Sequence, residues 1–370
     1  MTDTLVVLNA GSSSIKFQML ERDGLAVLGE GKVVRIGASP RLEARFEGVA
    51  PIMQDLAEGA NHEAALAAVL ELATRHTDGR RIAAFVHRVV HGGASHVAPV
   101  TVTPDVLASL EQLVPLAPLH QPHSLAGIRA CMRLAADAPN VACFDTAFHA
   151  GRSELAASYA LPRELRQKGI RRYGFHGISY QWIARVLAED HPALRDARVV
   201  VAHLGNGASL CAMREGRSVD TTMGMTALDG LPMGTRPGAI DPGVLLYMMR
   251  ELGMDAAEVE HALYHRSGLL GLSGISNDVA TLLASDAPEA KFALAYLTLR
   301  CAQQIAAMAA SLGGIDALVF TGGIGEHAAP LREAVVQRAR FLGDFSVLVI
   351  PANEERMMAV EALALLGRVS

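Results

Sequence analysis

Cysteine is scarce in this chain. Its 370 residues hold four, Cys131, Cys143, Cys211 and Cys301, widely spaced and with no CxxC pair. Neither a disulfide frame nor a thiolate zinc site is expected; buried free thiols in a reducing cytoplasm are. Long apolar runs are also missing. The longest stretch without a charged residue, Gln112–Ile128, contains Pro115, Pro118, Pro122, His120 and His123. That composition excludes a membrane span. Only Leu5-Val6-Val7-Leu8 separates the first residues from Asn9. With no basic segment before it, no signal peptide is expected, and the expected location is cytoplasmic. Excess charge of either sign is absent: Lys+Arg 33 against Asp+Glu 38 gives −5, a poor match to sequence-independent nucleic-acid binding. Glycine (34) and proline (16) are ordinary for this length, which excludes collagen-like and low-complexity classes.

What is present suits a folded globular chain. Hydrophobic residues make up 51% and charged residues 19%, with mean hydropathy +0.25. At roughly 150 residues per domain, the length predicts two to three domains. Short apolar runs alternate with helical patterns, the mark of α/β architecture. Strands are predicted at Leu5–Leu8, Ile15–Leu20, Ile82–Val86, Val141–Phe144, Val199–Ala202, Ser209–Met213, Ala317–Phe320 and Phe345–Ile350. Helices are predicted at Glu63–Arg75, Asp105–Leu113, Ser124–Ala136, Tyr180–Asp190, Pro242–Leu252, Asp255–His265, Glu289–Leu312, Ala329–Arg340 and Glu354–Leu366. One repeat stands out. Val6–Gly24 and Val199–Gly216 both read strand, polar Gly/Ser turn, strand, charged turn. The pattern predicts two similarly built domains.

Three turns follow strands and could hold phosphate. Asn9-Ala10-Gly11-Ser12-Ser13-Ser14 offers a glycine, hydroxyls and amides, with Lys16 on the next strand. It reads either as a phosphate turn or as an ordinary polar hairpin; GxxxxGK[ST] is absent. His203-Leu204-Gly205-Asn206-Gly207-Ala208-Ser209 is an anion cradle or a tight hairpin. Thr321-Gly322-Gly323-Ile324-Gly325-Glu326-His327 follows a strand and precedes a helix. It fits the dinucleotide fingerprint loosely but lacks the βαβ context. Three such turns argue for a nucleotide held between two domains.

The remaining polar motifs supply chemistry. Arg88 lies in His87–Gly93, Asp145 closes a strand, His176 follows Arg172-Tyr173-Gly174-Phe175, and Arg236 sits in a Gly/Pro loop. Singly these are surface residues or caps. Together they provide what phosphoryl transfer needs: cations for the equatorial oxygens, a donor, and oxygen ligands for Mg²⁺. His87/His91 and His120/His123 have i, i+4 and i, i+3 spacing, but HExxH is absent and no third ligand is indicated. GxSxG and a catalytic cysteine signature are absent as well.

With these motifs in order, and with Leu116–His120, Asp220–Pro242, Ser267–Asp278 and Asn353–Glu355, the chain resembles the acetokinase family over nearly its whole length. The resemblance implies an α/β fold of two duplicated actin-like (ribonuclease H-like) domains around a central cleft. It places domain one at 1–147 plus 357–370 and domain two at 148–356. It implies reversible transfer from ATP to acetate, giving ADP and acetyl phosphate, with Mg²⁺ (or Mn²⁺), in a homodimer formed through the second domain. Arg88 and Arg236 would flank the transferring phosphoryl group, with Arg88 also on the carboxylate. His176 would donate to that phosphoryl group, and Asp145 would be the essential carboxylate. Asn9 and Glu354 would support the metal, with Glu355 as neighbour. Lys16, Ser12 and Ser14 would line the phosphate path. His203, Leu204, Gly205, Asn206, Gly207, Asp278, Gly323, Ile324, Gly325, Glu326 and His327 would hold the nucleotide. Val90, Leu119 and Phe175 would wall the acyl pocket, with His120 in support.

The chain departs from the family's pattern at several points. Asn277-Asp278-Val279-Ala280 replaces Ser-Asp-x-Arg, and His327 replaces the Asn of GIGEN. Ala227 stands where the family has Pro, leaving room for one more methylene, worth about 1–3 kcal/mol of discrimination. The chain is also shorter, with the missing residues expected in surface loops. Other readings are a kinase for propionate or another short acid, a kinase with a different donor, a nucleotide-binding module without acyl chemistry, and a nicotinamide-dependent dehydrogenase.

Overall fold

The computed structural model describes residues 3–11, 13–77 and 79–367. Contacts divide the chain into two compact units, Met1–Phe148 with Asn353–Ser370, and His149–Ala352. The C-terminal piece of the first unit thus starts at Asn353, not at residue 357. The cause is local. Asn353 caps the helix Glu354–Leu366, its Oδ1 accepting from Arg356 N at 3.1 Å, and Arg356 Nη1 donates to Leu25 O at 2.9 Å.

The first unit has one sheet. Its strands are β1 (Thr4–Ala10), β2 (Ser14–Glu21), β3 (Val27–Val34), β4 (Arg41–Phe46), β5 (Ile52–Asp55), β6 (Ile82–Val89), β7 (Val100–Thr101) and β8 (Asn140–Phe144). They lie in the order β5-β4-β3-β2-β1-β6-β8-β7. The second unit holds β9 (Val199–Leu204), β10 (Ala208–Arg214), β11 (Arg217–Thr221), β12 (Ala317–Thr321) and β13 (Ser346–Val349), ordered β11-β10-β9-β12-β13. In both units an antiparallel meander of three strands (β1-β2-β3, β9-β10-β11) is extended on the other side of its first strand by two parallel strands (β6 and β8, β12 and β13). The repeat read from the sequence is therefore a duplication of the fold.

The predicted central strands are those that the burial pattern makes legible. β9 is buried at every position and β1 from Thr4 to Leu8, as expected for central strands covered on both faces. In β2 the alternation predicted from Ile15, Phe17 and Met19 holds: all three are buried and Lys16 is exposed. The meander strands β3, β4 and β5 escape sequence reading. β3 carries Gly29 and Gly31, which weaken a strand pattern. Both leave room for aromatic rings: a Cβ at Gly29 would lie 2.2 Å from the Phe46 ring, and one at Gly31 2.6 Å from that of Phe17.

Helices cover these sheets. His62–Arg75 buries Leu66, Val69 and Leu70 against Val6, Ile15 and Phe17. Thr103-Pro104 starts a helix as predicted: Thr103 Oγ1 accepts from Val106 N at 3.2 Å, and Pro104 needs no amide partner at the first position. Pro288–Leu312 buries an Ala-rich stripe against β10 and β11 and stops at Gly313, which takes the left-handed conformation. Among the described residues no helix is long and apolar enough to cross a membrane.

Candidate active site

In the first unit three parallel neighbours, β1, β6 and β8, pair Leu8 with His87 and Val89 with Phe144. That register brings Asn9, Arg88 and Asp145 to the carboxyl ends of adjacent strands, where open α/β sheets bind ligands. The Arg88 guanidinium forks onto Asp145, with Nε to Oδ1 at 3.1 Å and Nη2 to Oδ2 at 2.5 Å. Its Nη1 donates to Asn9 Oδ1 at 3.3 Å. Glu354, in the first turn of the C-terminal helix, places Oε2 3.8 Å from Arg88 Nε. Asp145 is 1% exposed, so this is a desolvated, bidentate pair. Burial alone would lower the Arg88 pKa; the Asp145 and Glu354 charges outweigh it, and the net direction is upward. Burial raises the Glu354 carboxyl, against the pull of Arg88 and with a further push from Glu355. A carboxylate in that position gains from a cation beside it.

The surrounding loops are pinned. Gly11 N donates to Ser14 O at 2.8 Å, closing the β1–β2 turn, and His62 Nε2 sits 2.7 Å from Gly11 O. Lys16 is exposed and Ser14 half-buried. Ser12, assigned to the phosphate path by resemblance, lies outside the described residues. Gln121 clamps the His87–Gly93 loop: its Oε1 accepts from His91 N and its Nε2 donates to His91 O. Burial pushes the His87 pKa down to about 4 against its bond to Asn140; burial does the same to His91. His120 and Leu119 are half-buried at the start of the helix Gln121–Leu134, and Val90 is buried.

In the second unit the β9–β10 hairpin turn and the β12 helix turn lie side by side, because Thr321 pairs with His203 across parallel strands. Gly322 has φ +79°, and a Cβ there would lie 2.7 Å from Leu204 O. Only glycine fits. Gly207 serves differently: a Cβ would stand 3.0 Å from His176 Nε2 and 3.4 Å from Arg236 Nη2. The bare turn therefore lets a cation and an imidazole close on its backbone. Arg236 Nη1 donates to Ala227 O at 2.8 Å, and burial lowers its pKa. His176 has φ +58° ahead of the helix Gly177–Asp190, a conformation unusual for a residue with a side chain. Its ring stacks on His203 at 4.3 Å, Nδ1 bonds Ser209 Oγ at 2.8 Å, and Ser209 Oγ bonds Tyr180 OH at 2.5 Å. His203 Nδ1 bonds Ser179 Oγ at 2.9 Å.

The loop carrying His176 is held from beneath. Arg152 donates to His149 O at 3.1 Å, Arg172 O at 2.7 Å and Tyr173 O at 2.9 Å. His149 bonds Phe175 O and Ser218 Oγ; burial and the Arg152 charge lower its pKa to about 3. Phe175 is fully buried and Ala227 half-buried. The remaining nucleotide candidates are placed as follows. Gly205 and Asn206 form the hairpin turn, Gly205 N donating to Gly207 O. Gly323, Ile324 and Gly325 open the helix Gly322–His327, with His327 exposed at its end. Glu326 Oε1 accepts from Ala352 N at 2.9 Å. Asp278 caps the helix Val279–Leu283 through Thr281 N and Oγ1.

The donor sets fit the groups implied for them. Two glycine turns with an arginine and two imidazoles suit nucleotide phosphates. Among the described residues no three His, Cys, Asp or Glu side chains form a metal cage. Asn9 and Glu354 instead offer hard oxygens in one cluster, as suits Mg²⁺, which keeps waters and leans on substrate phosphates.

Residue-by-residue reading missed Ser209, Tyr180, Ser179, Gln121 and Arg152. Ser209 stood at the end of a turn already singled out, and its place at the head of an otherwise apolar strand was the available signal. The others are ordinary helix and loop residues without one.

The family model of the acetokinase family matches residues 4–347. The chain belongs to the acetokinase family. The acetokinase relatives include the acetate kinase of Rhodopseudomonas palustris, 50% identical over 93% of this chain and 88% of its own. That of Methylocella silvestris is 43% identical over 100% of both chains. Among solved acetokinase structures, a propionate kinase from Francisella tularensis superposes with TM-score 0.91 at 36% identity, covering 97% of this chain and 98% of that one. Acetate kinase from Porphyromonas gingivalis superposes with TM-score 0.87 at 34% identity, covering 98% and 100%. Both carry the fold expected from the motifs.

Proposed function

We propose that the protein transfers the γ-phosphoryl group of ATP reversibly to acetate, giving ADP and acetyl phosphate. The observation that carries this reading is the bidentate Arg88–Asp145 pair with Asn9 and Glu354 at the strand ends of the first unit. A nucleotide-binding module needs no such buried pair. In the forward step a carboxylate oxygen of acetate attacks the γ-phosphorus, and the bond from that phosphorus to the ADP bridging oxygen breaks. The acid is already ionised at neutral pH, so no general base is required. Catalysis is then positioning and charge neutralisation. Arg88 neutralises the carboxylate and phosphoryl oxygens while Asp145 fixes its plane. Arg236 and His176 serve the transferring group from the glycine turns, and Lys16, Ser12 and Ser14 line the phosphate path. Asn9 and Glu354 hold the divalent cation, Mg²⁺ or Mn²⁺. When bound, that ion offsets the charge of the nucleotide phosphates.

The residues that the family resemblance assigns to the acyl group are Val90, Leu119, Phe175 and Ala227, with His120 in support. Ala227 in place of a bulkier residue admits propionate as a poorer substrate. A hydroxamate assay with Mg²⁺ and ATP tests both points. Acetate should give strong acyl phosphate formation, with propionate lower by no more than about 200-fold. No product from either acid would overturn the proposal.

Homodimerisation through the second unit has support in the helix Pro242–Arg250. Its sequence, PGVLLYMMR, is apolar, yet none of its residues is buried in the single chain. Leu246 is 49% and Tyr247 58% exposed. Such a patch calls for a partner. Leu246→Glu with Tyr247→Glu should convert a dimer to a monomer in light scattering; an unchanged mass would remove this helix from the interface. The four thiols are all buried and free, which supports a cytoplasmic location.

A further inference from the structure

The surroundings of His176 specify more than its position. Three polar atoms form a chain: Tyr180 OH to Ser209 Oγ at 2.5 Å, and Ser209 Oγ to His176 Nδ1 at 2.8 Å. Tyr180 and Ser209 are both fully buried. Heavy-atom distances alone allow the hydrogens to run either way. Acidity decides between them. A phenol is a far stronger acid than an aliphatic alcohol, so the short O–H···O bond is more favourable with tyrosine donating and serine accepting. Burial raises the Tyr180 pKa well above its usual value, so the phenol keeps its proton. The serine hydroxyl has one proton of its own. Its oxygen retains a second acceptor site, so this step is the inferred one: the serine proton is assigned to His176 Nδ1. A nitrogen that accepts carries no hydrogen, so the ring is neutral with its hydrogen on Nε2. Nε2 is the atom that faces the bare Gly207 turn, 3.0 Å from where a Cβ would stand. Stacking on His203, itself tied to Ser179, holds the plane of the ring.

We propose that Ser209 and Tyr180 are positioning residues that hold His176 as its neutral Nε2–H tautomer, aiming one N–H donor at the glycine turn. The consequence for catalysis rests on the phosphoryl-transfer reading given above. A phosphoryl oxygen gains from an N–H donor and is repelled by a nitrogen lone pair. The opposite tautomer at the same place would therefore work against the reaction. The relay also gives a reason for the left-handed backbone at His176: the strained φ turns the ring so that one nitrogen meets Ser209 while the other meets the turn.

The test reads the tautomer directly, by long-range ¹H–¹⁵N correlation on full-length protein labelled with ¹⁵N-histidine, with His176 assigned by the loss of its signals in His176→Gln. Wild-type His176 should show a bare Nδ1 and a protonated Nε2. Ser209→Ala should shift His176 toward a mixture of tautomers and lower kcat about tenfold, the loss of roughly one oriented hydrogen bond. The KM for ATP should stay within about twofold. Tyr180→Phe, which removes one oxygen and no packing, should give the same spectral change with a smaller loss of kcat. A wild-type His176 protonated at Nδ1, or at both nitrogens, overturns the proposal. So does Ser209→Ala with both spectrum and kcat unchanged. The spectrum needs no turnover. An inactive wild-type enzyme showing the expected tautomer would count against the reaction and leave the relay standing.

Discussion

Arg88→Ala is expected to lower kcat for acyl phosphate formation by roughly 10³-fold, the range seen when an arginine that stabilises phosphoryl-transfer charge is lost. The structure explains why no neighbour substitutes. The guanidinium places three of its nitrogens at once, two on Asp145 and one on Asn9. Lysine can supply the charge but not the fork. Removal also takes its bidentate partner from Asp145, which is 1% exposed. Breaking a buried ion pair by removing one partner typically costs about 3–5 kcal/mol. The alanine variant should therefore lose urea stability as well as activity. Arg88→Lys separates the two effects. It should recover a good part of the stability and little of the turnover. If Arg88→Lys retained more than a tenth of wild-type kcat, bidentate geometry would not be what the reaction needs.

Gly322→Ala should destabilise the protein by about 2–4 kcal/mol, combining the left-handed backbone penalty with overpacking. The new methyl would meet Leu204 O at 2.7 Å, Leu204 C at 3.2 Å and Leu204 N at 3.3 Å. All three are backbone atoms of β9, so relief requires moving the hairpin itself. Because that hairpin carries Gly205–Gly207, ADP affinity should fall at least tenfold in calorimetry, on the proposal that these turns hold the nucleotide. Gly323→Ala is the matched control for folding, since a Cβ there meets nothing within 4 Å. Equal urea midpoints for the two variants would refute the packing described for this turn.

Much of the fold was legible because the central strands are continuous apolar runs. Val199–Ala202 and Ala317–Phe320 could be read without knowing what they pair with. The strands β3 to β5 could not. Gly29 and Gly31 look like loop residues until Phe46 and Phe17 are seen to need the space. The unit boundary at Asn353 was equally hidden. It depends on where the C-terminal helix packs, and that helix rests on β1, β6 and β8, more than two hundred residues earlier in the chain.

The sites divide in the same way. Sequence motifs singled out Asn9, Arg88, Asp145, His176, Arg236 and the glycine turns, because phosphate chemistry draws on few residue types and each leaves a local trace. Asp278 was singled out with them, and the fold shows its carboxylate capping the helix Val279–Leu283.

By itself, then, the sequence determined the family, the duplicated α/β plan and the candidates for the site. Only the tertiary structure decided which groups act on one another. Arg88 and Asp145 lie 57 residues apart and meet because parallel strands align their carboxyl ends. Ser209 and Tyr180 reach one imidazole because a strand and a helix pack together. A hydrogen bond depends on distances of a fraction of an ångström, and such distances between remote residues are fixed by strand register and packing, which no local pattern of residues records.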